Sequence, residues 1–274
     1  MKPIQTLLIF LLFISTANCQ EIYTEKMSGS TTSPGILTTV TRNFPNSPID
    51  GYNLYVPTSS FDADQPYPIL VFLQGGKGVG GPVDRVLQWA LPQAILSSDN
   101  LNTELDKMLR DTFIVIAPHI RNGEFYEGEA AMRQIISEVL EKENADPDRI
   151  YLTGLSRGGY GTWGLASRMT DVFSAAAPIC GGGRGINDYE ALSEIPLWIA
   201  HNTGRDSEYR RSKEIVDRLE RDQGVSFVRT STLEDVNPES DDRIFTSPKV
   251  DHHDAWTDFY NHVDFYRWLL RFSK

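Results

Sequence analysis

The stretch Ile150-Tyr-Leu-Thr-Gly-Leu-Ser-Arg-Gly-Gly-Tyr-Gly-Thr-Trp163 decides how this chain is read. It begins with a short apolar run, Ile150 to Leu152, passes through a glycine-rich turn and enters a helix-like pattern. Inside it, Gly154-Leu155-Ser156-Arg157-Gly158 forms a G-x-S-x-G pattern. A serine at the tip of a tight strand-to-helix turn takes an unusual backbone conformation, and neighbours without a Cβ let strand and helix close on it. Such a turn lifts the Ser156 Oγ off the sheet, and the helix start behind it favours developing negative charge. The pattern predicts a nucleophilic serine; the plainer alternative is a glycine-rich turn holding an incidental one.

Outward from this stretch, the chain alternates strand and helix patterns. Continuous apolar runs at Ile69 to Leu73, Phe113 to Ala117, Ile150 to Leu152, Ser174 to Ile179 and Leu197 to Ala200 suit central parallel strands covered on both faces. Between them lie amphipathic patterns: Asp84 to Leu96 with Pro92 as an expected kink, Glu127 to Glu141, Tyr160 to Met169, Ser207 to Arg221 and Trp256 to Phe272. Upstream, Ile36 to Thr41 and Tyr52 to Val56 are β-rich and punctuated by Pro45, Pro48 and Pro57, which predicts an antiparallel edge. The whole predicts an α/β fold with a mostly parallel, doubly wound sheet in one domain.

The chain has 274 residues, a net charge of −11 and 40% hydrophobic residues. That acidity, with no basic cluster, argues against nucleic acid or an anionic membrane surface as partner. Residues 1–19 read as a signal peptide: Lys2, then the apolar run Leu7 to Ile14, then Ala17-Asn18-Cys19 before Gln20, with residues 20–274 as the exported domain. Lipid attachment at Cys19 is the competing reading. No other apolar run approaches the roughly 18 residues of a membrane span. Cys180, at the end of an apolar run, reads as a buried thiol.

A serine hydroxyl needs a base, and the base needs an acid to orient it; after a serine on this kind of turn the chain order is acid, then histidine. The histidines beyond Ser156 are His201, His252, His253 and His262. His262 sits at helical spacing, and His201 precedes the acid candidate, so His252 and His253 are the candidates for the base. Asp206, after the run Leu197 to Ala200, is the leading acid, with Asp188, Glu208 and Asp235 as alternatives and a helix-capping role as its plain reading. The oxyanion of acyl transfer needs backbone N–H donors. Arg157 follows the nucleophile, and Gly75 and Gly76 lie in the loop after Leu73, so these are the expected donors. That loop lacks both phosphate-binding glycine patterns. Gln74, Tyr160, Phe125 and Trp256 are candidate pocket walls, although aromatic residues more often serve the core.

Taken together, Arg149 to Trp163, Ala175-Ala-Ala-Pro-Ile-Cys-Gly-Gly-Gly183, Ile195-Pro-Leu-Trp198 with His201, and His253-Asp-Ala-Trp256 resemble the α/β-hydrolase superfamily. Within it they resemble the secreted esterases grouped with feruloyl and acetylxylan esterases, polyhydroxybutyrate depolymerases and so-called predicted peptidases. The resemblance runs from about Pro68 to Phe272. It implies Ser156 as nucleophile and His253, followed by aspartate, a small residue and tryptophan, as base. Two departures stand out. Gln74-Gly75 replaces the usual His-Gly, and the usual acid position falls on Arg205, one residue before Asp206, without the Val-Pro that normally follows. The resemblance implies a cofactor-free, metal-free serine esterase acting on short-chain, acetyl or hydroxycinnamoyl esters of carbohydrate. The alternatives are an ungated serine peptidase of the prolyl oligopeptidase kind and a non-catalytic carbohydrate-binding module.

Overall fold

The computed structural model describes residues 22–24, 35–58, 65–97, 103–204 and 208–274. The signal-peptide reading of residues 1–19, Cys19 and the acid candidate Asp206 lie outside them. Ten strands form one sheet: β1 (Ile22–Thr24), β2 (Gly35–Thr41), β3 (Ile49–Pro57), β4 (Tyr67–Leu73), β5 (Ile114–Ile120), β6 (Ala145–Leu155), β7 (Ala175–Ile179), β8 (Leu197–Ala200), β9 (Val228–Thr230) and β10 (Arg243–Thr246), in the order β1-β2-β3-β5-β4-β6-β7-β8-β10-β9. Pairings from β1 through β5 are antiparallel at the edge, and every pairing from β5 across to β9 is parallel. The sequence expectation of a parallel sheet with an antiparallel N-terminal edge therefore holds.

The central strands are apolar on both faces because helices cover both. Residues Ile69 to Leu73 are all fully buried. Alternate residues go to opposite sides: Ile69, Val71 and Leu73 join one core, Leu70 and Phe72 the other. The helices are α1 (Ala90–Ser97), α2 (Glu104–Lys107), α3 (Glu129–Lys142), α4 (Arg157–Ala166), α5 (Tyr189–Ser193), α6 (Tyr209–Gln223), α7 (Trp256–Tyr260) and α8 (Val263–Leu270). Helix α3 buries Met132, Ile135, Ile136 and Val139 on one face, and α6 buries Ile215, Val216 and Leu219 before Gly224 closes it in the left-handed conformation.

Two helix expectations change. The pattern Asp84 to Leu96 is not one helix kinked at Pro92. A 3-10 turn over Val83–Gln88 ends, Ala90 takes φ 46°, and α1 begins there, leaving Pro92 in a first turn that tolerates it. The pattern Trp256 to Phe272 is likewise two helices, and His262 stands at the N-cap of α8 rather than mid-helix. The Tyr266 hydroxyl donates to the Tyr260 carbonyl at 2.7 Å, which satisfies an acceptor left over where α7 stops.

The order β5-β4-β6 places a topological switch at β4: the chain leaves it for one neighbour and later returns to the other. Ligand crevices in open α/β sheets form at the carboxyl ends of strands at such points. The loops after β4 and β6, carrying Gln74–Gly78 and Ser156, meet there.

Candidate active site

Ser156 links β6 to α4 with φ 53° and ψ −111°, a backbone conformation that side chains rarely tolerate. Its geometry is fixed from three sides. The Ser156 N–H donates to the Ile179 carbonyl at 2.8 Å, continuing the β6–β7 ladder past its end. The Tyr160 N–H donates to the Ser156 carbonyl at 3.1 Å, the first turn of α4. Gly158 lies directly on the end of β4, where an added Cβ would stand 1.9 Å from the Leu73 carbonyl oxygen. Helix α4 can start this close to the sheet only because position 158 has no side chain.

Of the two adjacent histidines, His253 reaches the serine: its Nε2 lies 3.1 Å from Ser156 Oγ across 97 positions of sequence. Trp256 stands edge-on to the His253 ring, with centroids 5.4 Å apart. The segment bearing His253 is laced to the segment after β8. The His201, Thr203 and Gly204 N–H groups donate to the carbonyls of Thr246, Pro248 and Val250 at 3.1, 2.9 and 3.0 Å, extending the β8–β10 pairing. A Cβ on Gly204 would lie 2.6 Å from both Asp251 Cα and the Val250 carbonyl oxygen, so the two segments touch through backbone. Asn202, buried between them, donates from Nδ2 to the carbonyls of His252 and Asp254 at 3.0 and 3.1 Å.

Arg157 is the first residue of α4, so its N–H has no carbonyl within the helix to bond and is directed at the crevice end of the sheet. Its guanidinium is held away by the Gly123 carbonyl at 3.1 Å and Glu124 at 3.3 Å. Across the switch, Gly75 packs against Leu155, and Gly76 opens a 3-10 turn with nothing within 4 Å of a Cβ built there. The far end of this loop is pinned to β5: the Gly80 N–H donates to the Ile120 carbonyl at 3.0 Å, and His119 Nε2 lies 3.1 Å from the Gly80 carbonyl. His119 is buried, and its Nδ1 meets Asp50 at 2.5 Å, with Arg121 on the other carboxylate oxygen at 3.1 Å. Burial pushes the Asp50 carboxyl up, but His119 and Arg121 outweigh it and hold it below its ordinary value of 3.8. A carboxyl lowered in the fold adds stability above its unfolded value and loses it as pH falls through the folded one. Asp50→Asn is therefore expected to lower Tm at pH 7, and the gap to wild type should close as pH drops below about 4. Thermal melts of both proteins from pH 7 to pH 3 check this.

Two expected pocket walls fall elsewhere. Phe125 is fully buried in the core beneath α4, against Gly161. Gln74 is also buried, and its Nε2 donates to the Gly78 carbonyl at 2.9 Å, so it braces its own loop from inside. Tyr160 and Trp256 are half-buried beside the serine and the histidine. Burial, reinforced by hydrogen bonding and charge from Glu208, pushes the Tyr160 phenol up to about 12, so it stays neutral, with Arg184 over its ring at 4.9 Å. The alternative acids are placed as follows. Asp188 caps α5 by accepting from the Ala191 N–H at 2.9 Å, Glu208 engages Tyr160 and Arg211, and Asp235 lies in an exposed turn. His201 is buried, with Nε2 2.7 Å from Ser212 Oγ, whose hydroxyl donates to the Gly181 carbonyl at 2.7 Å. Cys180 is fully buried, as its sequence position suggests.

The architecture has solved counterparts. A thermostable esterase superposes with TM-score 0.66 at 25% identity over 88% of this chain and 64% of its own. The chain has the α/β-hydrolase fold. The same α/β-hydrolase architecture relates it to the feruloyl esterase module from Clostridium thermocellum, solved with sinapinate (TM-score 0.58, 14% identity, 92% of this chain and 96% of the module). It also relates it to an S-formylglutathione hydrolase from Agrobacterium tumefaciens (TM-score 0.55, 13% identity, 88% and 98%). In sequence, 57 residues are 42% identical to poly(3-hydroxyalkanoate) depolymerase C of Paucimonas lemoignei, covering 20% of this chain and 14% of that protein. Another 73-residue match is 33% identical to a bifunctional acetylxylan esterase/xylanase of Neocallimastix patriciarum, covering 27% of this chain and 11% of that protein. The chain thus spans only a small part of the curated relatives it matches. No protein-family model matches it. Among the described residues, no helix is long and apolar enough to cross a membrane.

Proposed function

We propose that this α/β-hydrolase fold is a secreted serine carboxylic-ester hydrolase working through an acyl-enzyme on acetyl, short-chain or hydroxycinnamoyl esters of carbohydrate. The observation that carries the reading is the 3.1 Å approach of His253 Nε2 to Ser156 Oγ at a strained strand-to-helix turn. His253 takes the hydroxyl proton as Ser156 Oγ attacks the ester carbonyl. The resulting oxyanion is met by the Arg157 N–H and by N–H groups of the Gly75-Gly76 loop. His253 then returns the proton to the leaving alcohol, and a water activated by the same base releases the acid. Asp206 is the proposed acid that orients His253, on the strength of its place in the sequence, just after the segment that is laced to the histidine segment. Tyr160 and Trp256 flank the acyl group. No metal or cofactor enters this chemistry. The carbohydrate-linked substrate class is supported by the feruloyl and acetylxylan esterases among the similar proteins, and export by the composition of residues 1–19.

The test is turnover of p-nitrophenyl acetate and methyl ferulate by residues 20–274, beside Ser156→Ala. Turnover by wild type alone supports the reading, and the ratio of the two rates assigns acetyl or aromatic acyl preference. Equal rates for wild type and variant on both substrates would sink it.

A further inference from the structure

Asn202 follows β8 and is 2% exposed, yet it touches none of the reacting groups in the proposed chemistry. A primary amide nitrogen carries two hydrogens. Here both have carbonyl acceptors, His252 at 3.0 Å and Asp254 at 3.1 Å, the residues immediately before and after His253. The contact to His252 Nδ1 is longer, at 3.4 Å. Because both near partners are acceptors, only the nitrogen end of the amide can face them. One side chain therefore holds the backbone on either side of the histidine. His253 itself is exposed, with the Trp256 ring edge-on to it, and the amide acts on the backbone that carries the ring.

We infer that Asn202 is the positioning residue of the base: it clamps the His252–Asp254 backbone so that the His253 ring stays within reach of Ser156. The inference rests on the serine hydrolase reading of the site. Asn202 also lines a cavity of about 370 Å3 on the side of β8 that faces α7, shared with Thr232, Asp258 and His262. Among the described residues only Asn202 donates to these two carbonyls from a side chain, so truncating the amide leaves both without that donor. Placement errors of about 1 Å in a reacting group can cost on the order of 100-fold in rate.

The experiment uses Asn202→Ala and Asn202→Asp in the full chain. Asp keeps the shape but, ionised, has no hydrogen to donate. Active sites are titrated by covalent labelling of Ser156 with a fluorophosphonate carried to completion, and kcat and KM on p-nitrophenyl acetate are expressed per titrated site. The clamp predicts kcat per site down about 10- to 100-fold in both variants, with KM within about two-fold of wild type. A purely structural role would lower the titratable fraction and leave kcat per site unchanged, which overturns the inference. Retention of wild-type kcat by Asp, with loss only in Ala, would also overturn it, because shape rather than donation would then matter. Wild type that neither labels nor turns over refutes the functional reading itself, and the clamp with it.

Discussion

Replacing Ser156 by alanine is expected to lower kcat by on the order of 10⁴-fold or more on any ester the protein turns over, with the fold intact. The hydroxyl is the atom that would form the acyl bond, and nothing within the described turn offers a substitute nucleophile. His253→Ala should approach the same floor, since a serine hydroxyl without its base is a poor nucleophile. The two losses should not add, because nucleophile and base act as a unit. The turn makes a companion prediction about stability. A non-glycine residue held in a sparsely populated conformation costs about 1–3 kcal/mol, and alanine inherits that cost while glycine does not. Ser156→Gly should therefore be as inactive as Ser156→Ala but melt at a higher temperature. Steady-state assays beside calorimetric melts of all three proteins check both statements. Equal melting of the Gly and Ala variants would mean that φ 53° is no burden here.

The largest structural effect is expected at Gly158. An added methyl would lie 1.9 Å from the Leu73 carbonyl oxygen, 2.5 Å from its carbon and 2.8 Å from the Gln74 carbonyl oxygen. All three are backbone atoms, so no rotamer change relieves the clash. Helix α4 would have to lift from β4, opening the core beneath it and parting the serine from the Gly75-Gly76 loop. Gly158→Ala should thus cost more than about 4 kcal/mol, beyond the range of ordinary substitutions. For a chain of this size that is a fall of roughly 10 °C or more in Tm. Gly76→Ala is the contrast, because a Cβ there meets nothing within 4 Å, and its Tm should stay close to wild type. Thermal melts of the two variants decide; similar values would show that closeness at 158 is absorbed elsewhere.

The sequence reveals much of this because periodicity and turn chemistry are local. The apolar runs at Ile69 to Leu73 and Leu197 to Ala200 become β4 and β8, and Gly154 to Gly158 becomes the strained turn. What local pattern could not show has physical causes. Strands β9 and β10 are three and four residues long, with arginine in each, and they become strands only by adding to an existing edge. The pattern Trp256 to Phe272 keeps its apolar period across the break because α7 and α8 pack into the same core. Phe125 and Gln74 carry residue types equally at home in a wall or an interior, and burial alone separates the two. Asn202 had no signal at all: its partners lie fifty and fifty-two positions away.

Strand order also sets a timetable. Strand β10 lies between β8 and β9, although β9 precedes it in sequence. In vectorial synthesis β9 emerges with no partner and must wait for residues 243–246 to add to β8 before it can join the sheet. The same addition brings residues 247–254 alongside the segment after β8. On the proposed serine hydrolase reading, Ser156, its turn and the loop after β4 can therefore take shape as the chain emerges, while His253, the proposed base, is still unmade or undocked. The growing chain would hold a shaped but unarmed serine, and reactivity would switch on late, with the docking of one four-residue strand.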